Sequence, residues 1–360
     1  MKWEKKPLTD FVWFQRGFDL PKDKFVNGEF PVVGSTSILG YHTEAKVKAP
    51  GIVTGRSGTI GQFQFLKNDF WPHNTSLWVR DFYGNDERFA FYLLHTLDFI
   101  SLNGGGAVPS LNRNFLSSIN VNVPPLPTQR KIASILSAYD DLIENNLKRI
   151  KLLEEKAFLR YKQIVREEKL IEKSILDICY ITDGTHDSPK QQTEGFYLVT
   201  GKHLVGGFID FSSAYFISET DHDKIQKRSK VDDGDLILSN IGTIGNVAII
   251  EKQFDFSVKN VIIFKPNRIE FSSFLYCYLN SNEMQTRFQQ ESSGTSQRFI
   301  SLKYCRDLKV RVPKEDVLKE FYEDVSSLLK LKSLLNQQNT KLREARDILL
   351  PKLMNGQIEV

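Results

Sequence analysis

The chain has little with which to carry out covalent chemistry. Three cysteines in 360 residues, Cys179, Cys277 and Cys305, are too few and too scattered for a disulfide framework or a structural zinc cluster, and they fit a thiol-reduced, cytoplasmic setting. No stretch approaches the roughly 18 apolar residues of a membrane span. The opening MKWEKKPLTDF has no apolar signal core. There is no Gly-x-x-x-x-Gly-Lys-Ser/Thr to cradle ATP and no Pro-Asp dipeptide of the usual nuclease metal site. The nearest approach to the Asn-Pro-Pro-aromatic motif of an amino-methyltransferase, Asn122-Val-Pro-Pro-Leu126, has an intervening valine and no aromatic residue. The serines form no Ser-His-acid pattern. These absences predict no catalytic residue, no cofactor and no bound metal.

Charge of one sign is not in large excess either. With 48 Lys and Arg against 44 Asp and Glu, the net +4 permits a nucleic-acid partner without demanding one. A 41% hydrophobic content with 26 Phe excludes wholesale disorder, and the length suffices for two domains with their own cores.

What is present is a duplication. Gly-Thr-Ile-Gly occurs in GRSGTIGQ, Gly55 to Gln62, and again in SNIGTIGN, Ser239 to Asn246, with Gly58 and Gly242 separated by 184 residues. A phosphate loop needs a helix after it, but Asn246-Val-Ala-Ile-Ile250 reads as a strand, so the glycines predict turns with positive φ between strands. Gly17 answers Gly184, and Gly28-Glu-Phe-Pro-Val-Val-Gly34 answers Gly195-Phe-Tyr-Leu-Val-Thr-Gly201, at an offset of 167. Leu111-Asn-Arg-Asn-Phe115 through Val121-Asn-Val-Pro124 answers Ile300-Ser-Leu-Lys-Tyr304 through Val310-Arg-Val-Pro313 at 189. The order is kept throughout, as a tandem repeat requires.

After each Val-x-Val-Pro the apolar spacing turns helical. Pro127 and Thr128 start one helix, with a stripe of Ile132, Leu136, Tyr139, Ile143, Leu147, Ile150, Leu153, Ala157, Tyr161 and Ile164. Phe321, Val325, Leu328, Leu331, Leu335, Gln338, Leu342, Ala345 and Leu349 mark the second, with Pro351 and Gly356 as its stop. Each stripe turns polar near its middle, at Asn146 and Gln338. About 40 residues at about 1.5 Å each exceed what one such domain needs, so each helix is expected to pair antiparallel with the other, setting the domains at opposite ends of a rod. The alternative is that each helix folds back on its own domain.

Val123-Pro-Pro-Leu-Pro-Thr-Gln-Arg-Lys-Ile-Ala133 and Leu136-Ser-Ala-Tyr-Asp-Asp-Leu-Ile143, with Lys341-Leu-Arg-Glu-Ala-Arg-Asp-Ile-Leu-Leu-Pro-Lys-Leu-Met-Asn-Gly356, resemble the helical regions of type I restriction-modification specificity subunits. Asp183-Gly-Thr-His186 and Gly234-Asp-Leu-Ile-Leu-Ser239 resemble that family's second target recognition domain. The resemblance implies an α+β fold: two pseudo-symmetric mixed α/β recognition domains, residues 1–127 and 171–313, and two long helices, 128–170 and 314–360, forming an antiparallel coiled coil. It implies a non-catalytic subunit that reads a bipartite double-stranded DNA target, one half-site per domain. Two adenine methyltransferase subunits and restriction motor subunits would be its protein partners, with no membrane. A stand-alone adaptor of the same fold is the rival reading. Two places depart from the pattern: Pro-Leu-x-x-Gln, present as Pro125 to Gln129, is replaced after Pro313 by Lys314-Glu-Asp, and Gly51 stands where the second half has Asp235.

DNA contact calls for Lys and Arg against phosphates and for polar loop side chains against base edges. The first half offers Lys46, Lys48, Arg56, Ser57 and Arg113; the second offers His186, Lys190, Gln191, Lys202, His203, Lys227, Arg228, Gln297 and Arg298. For each, a solvated surface charge is the plain alternative. His186, between Asp183 and Asp187, would also suit a metal or a general base.

Overall fold

The computed structural model describes residues 3–56, 60–99, 113–292 and 298–360; Ser57, Gly58, Leu111, Asn112 and Gln297 fall outside them. In the first half, short alternating runs form β1 (Glu4–Pro7), β2 (Trp13–Arg16), β3 (Phe30–Val33), β4 (Ile38–His42), β5 (Gly51–Gly55), β6 (Phe63–Leu66), β7 (Trp71–Pro72) and β8 (Ser76–Asp81). Helix α1 (Glu87–His95) and β9 (Asn120–Val123) follow. One sheet has the order β2-β8-β5-β6, a second β4-β3-β7, and β1 pairs with β9.

After the long helix α2 (Leu126–Glu167), the second half gives β10 (Ile171–Ser174), β11 (Cys179–Asp183), β12 (Phe196–Val199), β13 (Leu204–Val205), β14 (Phe208–Ile209), β15 (Tyr215–Ile217) and α3 (Glu219–Ser229). Then come β16 (Leu236–Ser239), β17 (Val247–Ile249), β18 (Phe256–Val258), β19 (Val261–Pro266), α4 (Glu270–Leu279), α5 (Asn282–Glu291), α6 (Leu302–Arg306), β20 (Lys309–Val312) and α7 (Glu315–Met354). Its sheets run β11-β19-β16-β17 and β15-β12-β18, with β10 paired to β20. Strand for strand this is the topology of the first half. Helix α3, with β13 and β14, lies in the stretch where the offset between the halves grows from 167 to 184, an insertion of 17 residues in the second half. Both Gly-Thr-Ile-Gly copies connect antiparallel strands, β5 to β6 and β16 to β17. Gly61, Gly242 and Gly245 have positive φ, as tight reversals need.

Each larger sheet is buried on both faces, and its side chains alternate accordingly. Leu236 and Leu238 of β16, with Ile262 and Phe264 of β19, face α4 and the long helices; Ile237 and Ile263 face Val199 and Val258 of the smaller sheet. In the first half Ile52, Leu77 and Val79 point to the helical side, while Val53 and Trp78 meet Val33 and Phe70. Every residue from Phe271 to Leu279 of α4 is buried, so that helix is enclosed all round.

The chain divides into two units, one of Met1–Ile143 with Lys341–Val360, the other of Glu144–Thr340. Within the second, α2 and α7 pair antiparallel: Arg160 donates to Asp324 at 2.9 Å, Lys332 to Glu154 at 2.7 Å, and Asn146 to Asn339 at 2.9 Å. Within the first, Arg346 of α7 donates to Asp140 of α2 at 2.5 Å, and Leu353 and Met354 join Ile132 and Leu136 in the core. Both expectations for the helices therefore hold in part, since each helix meets the other and also packs on a sheet domain. Tyr161 of α2 and Phe321 of α7 both lie edge-on to Phe274 of α4, with ring centroids 5.4 and 5.8 Å away.

Three details differ from the sequence reading. The α2 seam runs from Ile143 through Asn146 to Ile150, so Leu147 lies off it and is 47% exposed. In α7 the seam passes through Lys332, Leu335 and Asn339, leaving Leu331 and Gln338 outward, although Gln338 still accepts from Asn146 at 3.0 Å. Pro351 does not stop α7, which continues to Met354 because Leu353 and Met354 have a core to fill; Gly356 makes the reversal. Among the described residues no helix is long and apolar enough to cross a membrane.

Gln129 explains the Pro-Leu-x-x-Gln motif. Buried, it donates to Asn85 and to the Pro124 carbonyl, both at 2.9 Å, and accepts from the Asp86 N–H, which fastens the start of α2 to the cap of α1. In the second half Leu318 takes the equivalent place, also buried, so an apolar plug does the same work there.

Lys332 is 3% exposed, with Glu154 and the Tyr276 hydroxyl as its partners at 2.7 and 2.8 Å. Glu154→Ala removes the counter-charge of a buried ammonium and is expected to cost about 3 kcal/mol, whereas replacing both members, Glu154→Leu with Lys332→Met, is expected to cost much less. Urea unfolding of the two variants tests this; equal losses would contradict it.

Candidate nucleic-acid interface

Because both sheets in the second half are covered, polar side chains gather where the strands end. Strands β11, β12, β16 and β18 finish, and β17 and β19 begin, at one end of the sandwich, as the pairings Asp183 with Ile262, Ser239 with Val261, Leu238 with Val247, and Val199 with Val258 require. That end carries the loop after β11, the turn with Lys202, the Gly242 reversal, the Lys259-Asn260 turn and the segment Arg298–Ile300, which bonds to Asn240 through the Ile300 N–H at 2.9 Å.

Gly184 anchors the first of these loops. Its N–H bonds to the Val261 carbonyl at 2.9 Å, and a Cβ there would stand 2.7 Å from the Val258 oxygen. Asp183 then accepts from Arg228 of α3 at 2.5 Å and meets His186 Nε2 at 2.8 Å. The other ring nitrogen, Nδ1, is 2.9 Å from Asn260 Oδ1, and Asn260 itself has φ of 51°. Lys224 pairs with Asp187 at 2.9 Å, which holds that carboxyl below its ordinary range, and Lys259 donates to Ser188 at 2.6 Å. Lys190, Gln191, Lys202, Lys227 and Arg298 are exposed around this corner or on the elements that build it. His186 is thus the centre of a hydrogen-bonded loop, and among the described residues no three His, Cys, Asp or Glu side chains gather as a metal site would need.

The first half repeats the construction. Gly17 bonds to the Ser76 carbonyl at 3.0 Å, and a Cβ on it would meet the His73 oxygen at 2.1 Å. Asn74 of the facing turn donates to Asp19, and Arg16 donates to the Asn74 carbonyl at 3.4 Å. Arg56 follows β5 at this end, its N–H bonded to the Thr75 carbonyl at 3.1 Å.

Other expected residues lie elsewhere. Lys46 and Lys48 sit before Gly51, at the opposite end of β5 from Arg56; Lys46 lies 4.7 Å from the Trp71 ring and Lys48 pairs with Asp69 at 3.2 Å. Five strand residues put these two ends about 17 Å apart. His203 is 1% exposed and is no surface contact: its Nδ1 accepts from the Thr200 N–H at 2.8 Å, and burial lowers its pKa. Arg113 begins a 3₁₀ turn, Arg113–Ser118. Sequence reading missed Asp19, Asn74, Lys259 and Asn260; a lone Asn between two β-branched runs was the available signal for a turn.

A family model described as "Type I restriction modification DNA specificity domain" matches residues 1–155 and again 172–344. The chain is 25% identical to the type I restriction enzyme MjaIX specificity subunit of Methanocaldococcus jannaschii, across 99% of this chain and 94% of that one. It is 24% identical to a putative type I restriction enzyme specificity subunit of Haemophilus influenzae, across 86% and 82%. The solved structure of a type I restriction-modification system S subunit from M. genitalium shares the fold, with a TM-score of 0.71 at 18% identity over 98% of this chain and 96% of that one.

The two anchoring glycines are testable at once. Gly184→Ala and Gly17→Ala force a Cβ into a facing carbonyl and are each expected to destabilise by about 1–3 kcal/mol, seen as a lowered Tm; unchanged melting would show that the loops can shift. The buried imidazoles of His203 and His222 give a pH test. Burial lowers both from an ordinary 6.5, so the unfolded chain binds more protons just below that value and stability falls as pH drops through it. Urea unfolding at pH 7.5 and 5.5 measures the slope, which His222→Gln reduces.

Proposed function

The chain belongs to the type I restriction-modification DNA specificity family, and on that premise we propose that it reads a bipartite duplex target, one half-site per recognition domain, without catalysing a reaction itself. The observation that supports this reading is one scaffold present twice with unlike polar corners: Arg16, Asp19, Asn74 and Arg56 in one copy, Asp183, His186, Arg228 and Lys259 in the other. A common backbone with different side chains suits two different short sequences. The recognition domains are taken as residues 1–127 and 171–313. Contacts to phosphate are assigned to Arg56, Lys190, Lys202, Lys227, Arg228 and Arg298, with Lys46 and Lys48 reaching DNA only if it extends past the other end of the first sandwich.

The long helices would carry two adenine methyltransferase subunits, with restriction motor subunits added for cleavage. Their exposed leucines fit that role: Leu152 is 64% and Leu159 65% exposed, seven residues apart on one face of α2.

Two measurements test the reading. The purified chain with S-adenosylmethionine and duplex DNA is expected to leave the DNA unmethylated and uncut; stoichiometric activity would overturn the non-catalytic assignment. Binding measured with the methyltransferase present is expected to weaken steeply with salt, by a log-log slope of about −0.9 per phosphate contacted. A flat response would favour an adaptor that organises proteins and has no working DNA surface.

A further inference from the structure

The glycine-anchored loops place different chemistry on the same backbone. After Gly17 the next N–H bonds to the Pro72 carbonyl at 2.8 Å, and after Gly184 the next N–H bonds to the Val258 carbonyl at 3.0 Å. In each half the side chain two places beyond the glycine then meets an asparagine of the facing turn, Asp19 with Asn74 and His186 with Asn260. The positions are equivalent, but their free valences are not. Both His186 nitrogens are occupied, and the outward group of that corner is the Arg228 guanidinium held by Asp183. In the first half the outward groups are the Asp19 carboxylate, 77% exposed, and the Arg16 guanidinium, 52% exposed and 4.0 Å from it; among the described residues no helix answers α3 there.

We propose that Asp19 is a specificity-determining residue of the first recognition domain, a fixed acceptor for the exocyclic amino group of a cytosine, with Asn74 as its positioning residue. The inference rests on the DNA-reading function above and names a side chain that carries it. A carboxylate repels phosphate, so on a DNA-facing loop it weakens binding unless a base donates to it. Ionised, it has only acceptors to offer, and cytosine N4 is the donor that Asp and Glu characteristically take in the major groove. Asn74 donates to Oδ1, the oxygen that also faces Arg16, and holds the group in place; Oδ2 is the acceptor assigned to the base. The equivalent corner of the second half presents an arginine, whose donors match guanine O6 and N7 instead.

The test is selection of bound sequences from a random duplex pool by the full chain assembled with its adenine methyltransferase subunit. Wild type is expected to yield two short half-sites. D19N keeps the oxygen that accepts from Asn74 and turns the outer one into a donor, so preference for cytosine at one position of one half-site is expected to fall about tenfold or more, adenine gaining, with the other half-site unchanged. Asp19→Ala is expected to lose the same discrimination while tightening binding to unrelated DNA, a combination that loss of structure does not produce. An unchanged motif in D19N, or even weakening of both half-sites, overturns the assignment of Asp19. If the wild-type assembly selects no sequence, the DNA-reading function itself falls, and this inference with it.

Discussion

A sheet covered on both faces has no room for polar side chains except at its ends, and that constraint organises each half of this protein. Ile237 and Leu238, one residue apart on β16, are both fully buried, one against the smaller sheet and one against helices. With neither face free, hydrogen-bonding side chains collect where strands stop: Asp183 at the end of β11, Asn240 after β16, Asn260 between β18 and β19. Polar chemistry is therefore concentrated on loops, and the loops are held by backbone bonds that do not depend on which side chains they carry. That separation lets one scaffold be used twice with different side chains on its loops.

The helices obey a second rule. An all-apolar seam would pair any two such helices in several registers, whereas this seam contains Asn146, Lys332 and Asn339. Lys332 finds Glu154, and Asn146 finds Gln338 and Asn339, only when α2 lies antiparallel to α7 in the observed register. The pairing leaves Asn146 Oδ1 and Asn339 Nδ2 buried without partners, so it is not the most stable seam possible. Specificity gained at a cost in stability is the usual use of a buried polar layer between helices. Since the lysine is on one helix and the glutamate on the other, unlike helices are satisfied together and like helices are not.

Repeats and turns were legible in the sequence because they follow local rules. The shared glycines, the Val-x-Val-Pro strands and the switch to helical spacing mark the elements, and the strand order follows from the duplication. Legibility failed where tertiary packing overrides local character. Lys332 falls outside the apolar stripe but lies in the seam, and Leu147 reads as seam but faces water. His203 looks like a loop donor next to Lys202, yet the 3₁₀ turn that exposes Lys202 points His203 inward. Lys46 and Lys48 lie within ten residues of Arg56, but an extended strand between them carries the chain to the other end of the sheet. Asp19 was not legible because its place beside Asn74 depends on a facing turn 55 residues further along the chain.

The departures between the halves show how the scaffold tolerates divergence. Just before β16 stands Asp235, buried, paired with Lys265 and accepting from the Asp232 N–H; at the start of β5 stands Gly51, and the space its side chain would fill is taken by the Phe70 ring, 2.3 Å from where a Cβ would be. One half closes this point with an ion pair and the other with an aromatic ring. Gln129 and Leu318 make the same exchange at the helix starts, a hydrogen-bonded amide against an apolar plug. In both cases volume and polar satisfaction are conserved locally while residue identity is not, which is why the backbone corners stay superposable in their bonding even though the side chains they present have diverged. Scaffold substitutions of this paired kind leave the loops in place; substitutions on the loops change the side chains they present.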